Sequence, residues 1–190
     1  MLKSGQADVG LHVSYTEERA HYVHWPKNWV WKADFVFMTN QKTKAAYPLH
    51  NYDDVRRSGL LIGIVYNNAY YPNFWEAFPS PDRAHQHYDA QLDPATDAAT
   101  NLRKLEAGHI QLFPTPLVLG TYMIRSMKLA NVTYYDWILF TKPYPNAFSD
   151  ASTYSTTRYP NINALMQAYD LQLARLKSDQ IKYQQFIQRY

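Results

Sequence analysis

The chain has 190 residues, 46% of them apolar, and a formal net charge of +3. That length allows one domain or two small lobes with real cores, and the small, scattered positive charge excludes the footprint of a nucleic-acid binder. Without cysteine there is no disulfide framework and no thiol chemistry.

The run Ala7 to Val13 alternates as a buried strand does, so Ser14 to Thr16 fall at a strand end and Glu17 to Arg19 open the next element. Strand ends of open α/β sheets bind ligands. Ser14, Thr16 and Arg19 form a compact donor cluster, and a guanidinium can grip a carboxylate with two parallel charge-assisted hydrogen bonds. The same residues also read as a capping box, with Ser14 or Thr16 capping a short helix and Glu17 or Glu18 reaching back. Ala20 to Trp31 is rich in rings, which suit either a half-wet cleft or a packed core; Trp29 is a candidate ligand contact. His21 and His24 lack the partners that a metal site requires.

Ala33 to Thr39 predicts a strand, Gln41 to Asn51 a polar crossing between lobes, Asp53 to Ser58 a helical turn, and Leu60 to Val65 a buried parallel strand. Behind it, Tyr66 to Pro72 is a polar turn before a short helix over Asn73 to Phe78. A strand, turn and helix start in that order present backbone N–H groups to an anion, which makes Asn67, Asn68 and Tyr70 candidates. Pro79 to Asp93 reads as a solvated loop, His85 and His87 included. Asp97 or Thr96 caps a helix with a stripe of Ala99, Leu102 and Leu105, and Gly108 closes it. Ile110 to Phe113 predicts a strand that stops at Pro114-Thr115-Pro116, Leu117 to Lys128 a helix, and Asn131 to Phe140 a strand. Asn146 to Ser149 is the return crossing. Ile162, Leu165, Met166, Tyr169, Leu173 and Leu176 mark an amphipathic helix, which Tyr183 to Tyr190 continue after a break near Ser178.

In order and spacing these segments resemble the extracellular solute-binding proteins of family 3, the amino-acid-type receptors of bacterial ABC importers. The likeness rests on Leu2 to Val9, the Ser14 to Arg19 cluster, Leu102 to Ile110, Ala147-Phe148-Ser149 with Ser152, and the terminal helix. It implies an α/β, two-lobed, periplasmic-binding-protein-like (type II) fold with parallel sheets. Lobe one comprises residues 1–42 and 144–190 and is incomplete at its N-terminus; lobe two comprises 43–143. The resemblance places Met1 well inside the family's chain, and the opening residues do not read as a signal peptide. The expectation is therefore that about the first third of a complete receptor is missing.

The function implied is capture of a small polar, carboxylate-bearing solute, an amino acid or a related compound, in the periplasm for an ABC permease, by lobes that close as hinged domains do. The ligand set is Ser14, Thr16, Arg19, Trp29, Asn67, Asn68, Tyr70 and Thr115, with no catalytic residue, no metal and no cofactor. In amino-acid receptors an acidic residue near Thr115 receives the ammonium group. Here there is none, which points to carboxylates without a free α-amino group, with Trp29, Trp31 or Tyr70 stacking on them. Two rival functions stay open: a ligand-sensing input domain of a signalling protein, and an enzyme on the same fold. A degenerate fragment without function is a third reading. Against an enzyme, the sequence has no Gly-rich phosphate loop, nucleophile elbow or paired carboxylates. No apolar run is long enough to span a membrane.

Overall fold

The computed structural model describes residues 1–66, 68–83 and 87–187, the side chain of Ile187 excepted. The chain forms two compact units, one of Met1–Lys32 with Pro143–Tyr190 and one of Ala33–Lys142. It therefore enters the second unit at Ala33, inside the strand Trp31–Asn40, and the polar stretch Gln41 to Asn51 lies within that unit.

The first unit opens with a 3-10 turn over Leu2–Ser4, closed by Gly5 in the left-handed conformation. A side chain at Gly5 would collide with the Ala151 carbonyl, so glycine is required there on two grounds. Three short strands follow one another in space: β1 (Val9–Gly10) and β2 (Val23–His24) both pair antiparallel with β8 (Ala147–Ser149), which lies between them. The strand expected over Ala7 to Val13 is thus only two residues long. Its pairing stops where the backbone turns at Leu11 and His12, the latter left-handed with φ 54. Between β1 and β2 sits the four-residue helix α1 (Glu17–Ala20).

Two C-terminal helices complete this unit, α7 (Ile162–Ser178) and α8 (Gln180–Ile187), with the break at Asp179. Asn161 caps α7 by accepting from the Ala164 N–H at 2.9 Å. The buried stripe includes Ile162 and Leu173, and Tyr169 meets Phe148 of β8 at 5.6 Å between centroids. The Asp170 carboxylate receives both the backbone and side-chain N–H groups of Asn28, which ties α7 to the segment before Trp29.

The second unit is a five-stranded sheet in the order β5-β4-β6-β3-β7. Its strands are β3 (Trp31–Asn40), β4 (Ile62–Val65), β5 (Leu92–Ala95), β6 (Leu112–Pro116) and β7 (Val132–Tyr144). β4 runs parallel to β5 and β6, and β3 runs antiparallel to β6. The parallel strands have helices between them, α4 (Pro72–Ala77) after β4 and α5 (Ala98–Ala107) after β5. α6 (Leu117–Ser126) leads from β6 towards β7.

Three features differ from the sequence reading. The polar stretch after β3 starts with a helix, α2 (Gln41–Ala46), because the Asn40 side chain caps it by accepting from the Thr43 N–H at 2.8 Å; α3 (Tyr52–Ser58) follows. The stretch read as a loop up to Asp93 ends in β5, whose Pro94 is tolerated because β5 is an edge strand. β6 does not stop at the prolines: Pro114, Thr115 and Pro116 pair with Phe37, Val36 and Phe35. Among the described residues β6 pairs with β4 at Ile62 and Leu112 alone, and beyond Leu112 it is β3 that holds the strand. Alternation puts both proline nitrogens on the same edge, where a missing N–H leaves no partner wanting.

The core of this unit gathers Val36, Met38, Leu102, Leu105, Ile110, Phe113 and Val132. The buried Asn101 pins α5 to β4 by donating to the Ile64 carbonyl at 2.9 Å. Gly63 makes that approach possible, since a Cβ there would run into the Asn101 side chain and Ile110. α5 is bounded by local chemistry. Asp97 accepts from the Thr100 N–H at 2.7 Å at its start, and Gly108 with φ 77 closes its end.

Candidate functional site

The Ser14 to Arg19 segment has a defined geometry. Thr16 is the N-cap of α1, its hydroxyl accepting from the Arg19 N–H at 3.2 Å. The half-buried Arg19 turns its side chain back, and Nη1 donates to the Ser14 carbonyl at 2.9 Å. Ser14 itself is buried. One guanidinium N–H is thus used to fix the arm, in a fork that carries five donors in one plane. The hydroxyl that shapes the helix and the cation that projects from it are set by the same few residues. Capping and anion binding are compatible here, with Thr16 in the first role and Arg19 suited to the second.

Rings flank this segment. Tyr15 is exposed and lies on Trp25 with centroids 5.1 Å apart, while Trp25 Nε1 donates to the Val13 carbonyl at 3.0 Å. His12 meets Trp31 edge-on at 5.8 Å, and Trp31 stacks on Tyr144 at 5.2 Å. Partial desolvation lowers the His12 pKa from its ordinary value. Burial pushes the Tyr144 hydroxyl up to about 12. Sequence reasoning missed this row of rings except for Trp31, because its members are brought together only by the pairing of distant segments.

Trp29 is placed differently. Lys177 Nζ stands 2.9 Å from the Trp29 ring centroid and donates to the Trp29 carbonyl at 3.2 Å, and Lys32 approaches the same ring at 4.7 Å. Burial, then the neighbouring Lys32 charge, lowers the Lys177 pKa. Tyr183 of α8 donates to the Val30 carbonyl at 2.6 Å, so both terminal helices bind this stretch. The position of Trp29 is that of an anchor for α7.

Asn67 and His85 of the second unit lie outside the described residues, as does Tyr190 of the first. Asn68 is exposed, but its N–H donates to the Val65 carbonyl and its carbonyl accepts from the Tyr70 N–H. The Tyr66 N–H goes to the Ala95 carbonyl. Three of the turn's N–H groups are therefore engaged within the protein. The cation brought to this turn is Lys142, which is buried and donates to the Ala69 carbonyl at 2.6 Å. Nothing in the sequence around Lys142 signalled that placement. Thr115 is buried in β6, its methyl 3.0 Å from where a Gly120 Cβ would stand. Among the described residues no three His, Cys, Asp or Glu side chains gather as metal ligands do.

Tyr70 is buried, with its ring against Phe74 at 4.9 Å and Trp75 at 5.7 Å. Its hydroxyl accepts from the Val65 N–H at 3.0 Å. Burial pushes its pKa from 10.0 up to about 12. A raised tyrosine pKa stabilises the fold fully below the unfolded value and is lost as pH climbs through the folded one. The contribution of Tyr70, about 3 kcal/mol, should therefore disappear between about pH 10 and 12. Melting curves at pH 9, 11 and 12 should show a steep fall in melting temperature, partly relieved in Tyr70→Phe. A flat profile across that window would contradict the placement of this hydroxyl.

No protein-family model and no curated protein matches the sequence. Solved structures do match the fold. A histidine kinase sensor domain with similarity to periplasmic binding proteins aligns with a TM-score of 0.68 at 20% identity, over 100% of this chain and 72% of that one. An ancestral arginine-binding protein bound to arginine aligns with a TM-score of 0.71 at 15% identity, over 100% of this chain and 74% of that one. The fold is that of the type II periplasmic binding proteins. A structure from work on glutathione import by GshT and the cystine ABC importer TcyBC of Streptococcus mutans agrees, with a TM-score of 0.66 at 19% identity over 95% of this chain and 68% of that one. What is shared at such identities is the periplasmic-binding-protein fold; the side chains that would choose a ligand are this chain's own. Among the described residues no helix is long and apolar enough to cross a membrane.

Proposed function

We propose that this chain is a solute-binding receptor of an ABC importer, capturing a small polar carboxylate outside the cytoplasm without chemical change. The observation that carries the reading is the Arg19 guanidinium, held by the Ser14 carbonyl and seated on a helix whose first turn Thr16 fixes. A fork held in place before the ligand arrives loses little freedom on binding. The similar folds support it: they are named as binding proteins and as a sensor domain. The sensor domain favours one second reading, the same capture serving as the input of a signalling protein.

In this proposal Ser14, Thr16 and Arg19 form the carboxylate site. Trp29, Asn67, Asn68, Tyr70 and Thr115 are each proposed separately as further ligand-contact candidates, to be tested one at a time by substitution. The ligand is expected to lack a free α-amino group. Calorimetric titration with short carboxylic acids, their methyl esters and the corresponding amino acids tests the reading. The acids should bind roughly tenfold or more tightly than the esters, which cannot receive a charge-assisted pair. Equal affinity for acid and ester would overturn the proposal, and tight binding of amino acids that is abolished by N-acetylation would reverse the ligand class.

A further inference from the structure

The connection between β1 and α1 is pinned along its length, although residues 11–16 belong to no strand or helix. The His12 N–H donates to Asn146 Oδ1 at 3.1 Å, and Trp25 Nε1 donates to the Val13 carbonyl at 3.0 Å. Arg19 Nη1 donates to the Ser14 carbonyl at 2.9 Å, and the Thr16 hydroxyl accepts from the Arg19 N–H at 3.2 Å. Tyr15 sits in the middle of this stretch. Its ring lies on Trp25 with centroids 5.1 Å apart and 53° between planes, and that indole is itself fixed by its bond to Val13. Even so, the tyrosine is 63% exposed. A single exposed ring is ordinary on a protein surface. One that rests on a fixed base, with the residues on both sides of it tied, is a preformed contact area that loses little freedom when a ligand lands on it.

The ring and the candidate carboxylate site are close by covalent construction. Arg19 Nη1 is 2.9 Å from the oxygen of the peptide that joins Ser14 to Tyr15. Bond lengths from that oxygen through the Tyr15 Cα to its ring keep the ring centre within about 10 Å of Nη1, whatever rotamer the side chain takes. A carboxylate paired to the guanidinium at about 2.8 Å, carrying a ring that stacks on Tyr15 with roughly 4.5 to 7 Å between centroids, spans such a distance. Both groups can be reached from solvent, since Tyr15 is exposed and Arg19 is half-buried. All of these residues belong to the first unit.

We infer that Tyr15 sets the specificity of the Arg19 site, its ring being the platform on which the solute's own ring stacks, and that the solute is an aromatic carboxylate. The inference rests on the reading that Arg19 holds the carboxylate. The phenol ring then adds a stacking interaction that a saturated ring of the same size does not return, and Trp25 keeps the platform in place.

Phenylacetate and cyclohexylacetate serve as probes in calorimetric titration of the full chain, since they share the carboxylate and the spacer and differ in the flat ring. The unaltered chain should bind phenylacetate roughly two- to tenfold more tightly than cyclohexylacetate, the usual contribution of an aromatic pair beyond its buried area. Tyr15→Phe should keep that preference and Tyr15→Ala should abolish it, both with melting temperatures close to the parent's because the side chain is exposed. Equal binding of the two acids by the unaltered chain, which needs no variant to measure, would overturn the inference. So would a preference that survives Tyr15→Ala, or binding of neither acid at millimolar concentration. Arg19→Ala separates the two readings. If it weakens both acids equally while Tyr15→Ala changes nothing, the carboxylate site stands and the ring platform falls; if it changes neither while Tyr15→Ala removes the preference, the platform stands and the carboxylate site falls.

Discussion

Replacing Phe113 by alanine is expected to remove about 3 to 5 kcal/mol of stability, the usual cost of emptying a buried aromatic site. Phe113 is 1% exposed on β6 and belongs to the core cluster that gathers Val36 and Met38 of β3, Leu102 and Leu105 of α5 and Val132 of β7, with Met123 and Ile124 of α6 packed against that cluster. Because the cluster draws on several separate elements, no single neighbour can move in to fill the gap. Against a total stability of about 5 to 15 kcal/mol for an ordinary domain, the loss is a large fraction. Urea titration should show the midpoint falling with the slope unchanged. A loss below about 1 kcal/mol would mean that Phe113 is not the packing centre described.

How far the sequence disclosed this structure depends on the range of the interactions involved. α5 was legible from end to end because its signals are local: the Asp97 cap, the stripe that buries Leu102 and Leu105, and the glycine that must turn left-handed. α7 and its break before α8 were legible for the same reason. β5 was not, since its four residues include Asp93 and Pro94 and only the edge position beside β4 makes them a strand. The prolines of β6 misled in the same way. Proline reads as a stop until it is known which side of the strand is paired.

The candidate site divides along the same line. Ser14, Thr16 and Arg19 lie within six residues, and their mutual hydrogen bonds are of the local kind that spacing foretells. The anion-friendly turn after β4 was read from a strand-turn-helix order, but its N–H groups serve the turn itself, and the cation near it is the distant Lys142. Trp29 was read as a ring for a ligand, and the structure gives it Lys177 of α7 as a neighbour. The row His12, Trp31 and Tyr144 depends on the chain's return to the first unit at Pro143, which periodicity cannot report.

Whether Arg19 holds the carboxylate of a solute is decided by the affinity of Arg19 variants. If the guanidinium forms a desolvated, hydrogen-bonded pair with the ligand, Arg19→Ala should cost about 2 to 5 kcal/mol of binding free energy. Arg19→Lys should recover only part, because an ammonium keeps the charge but not the planar fork. Thr16→Ala should behave otherwise, lowering the melting temperature through loss of about 1 kcal/mol at the helix cap and weakening binding only as far as the arm loosens. Calorimetric titration of the unaltered chain, Arg19→Ala and Arg19→Lys with the tightest carboxylate of the panel, alongside their melting curves, gives both quantities. Arg19→Ala is expected to lose at least about thirtyfold in affinity, with partial rescue by lysine; unchanged affinity in Arg19→Ala would mean that the guanidinium does not hold the ligand.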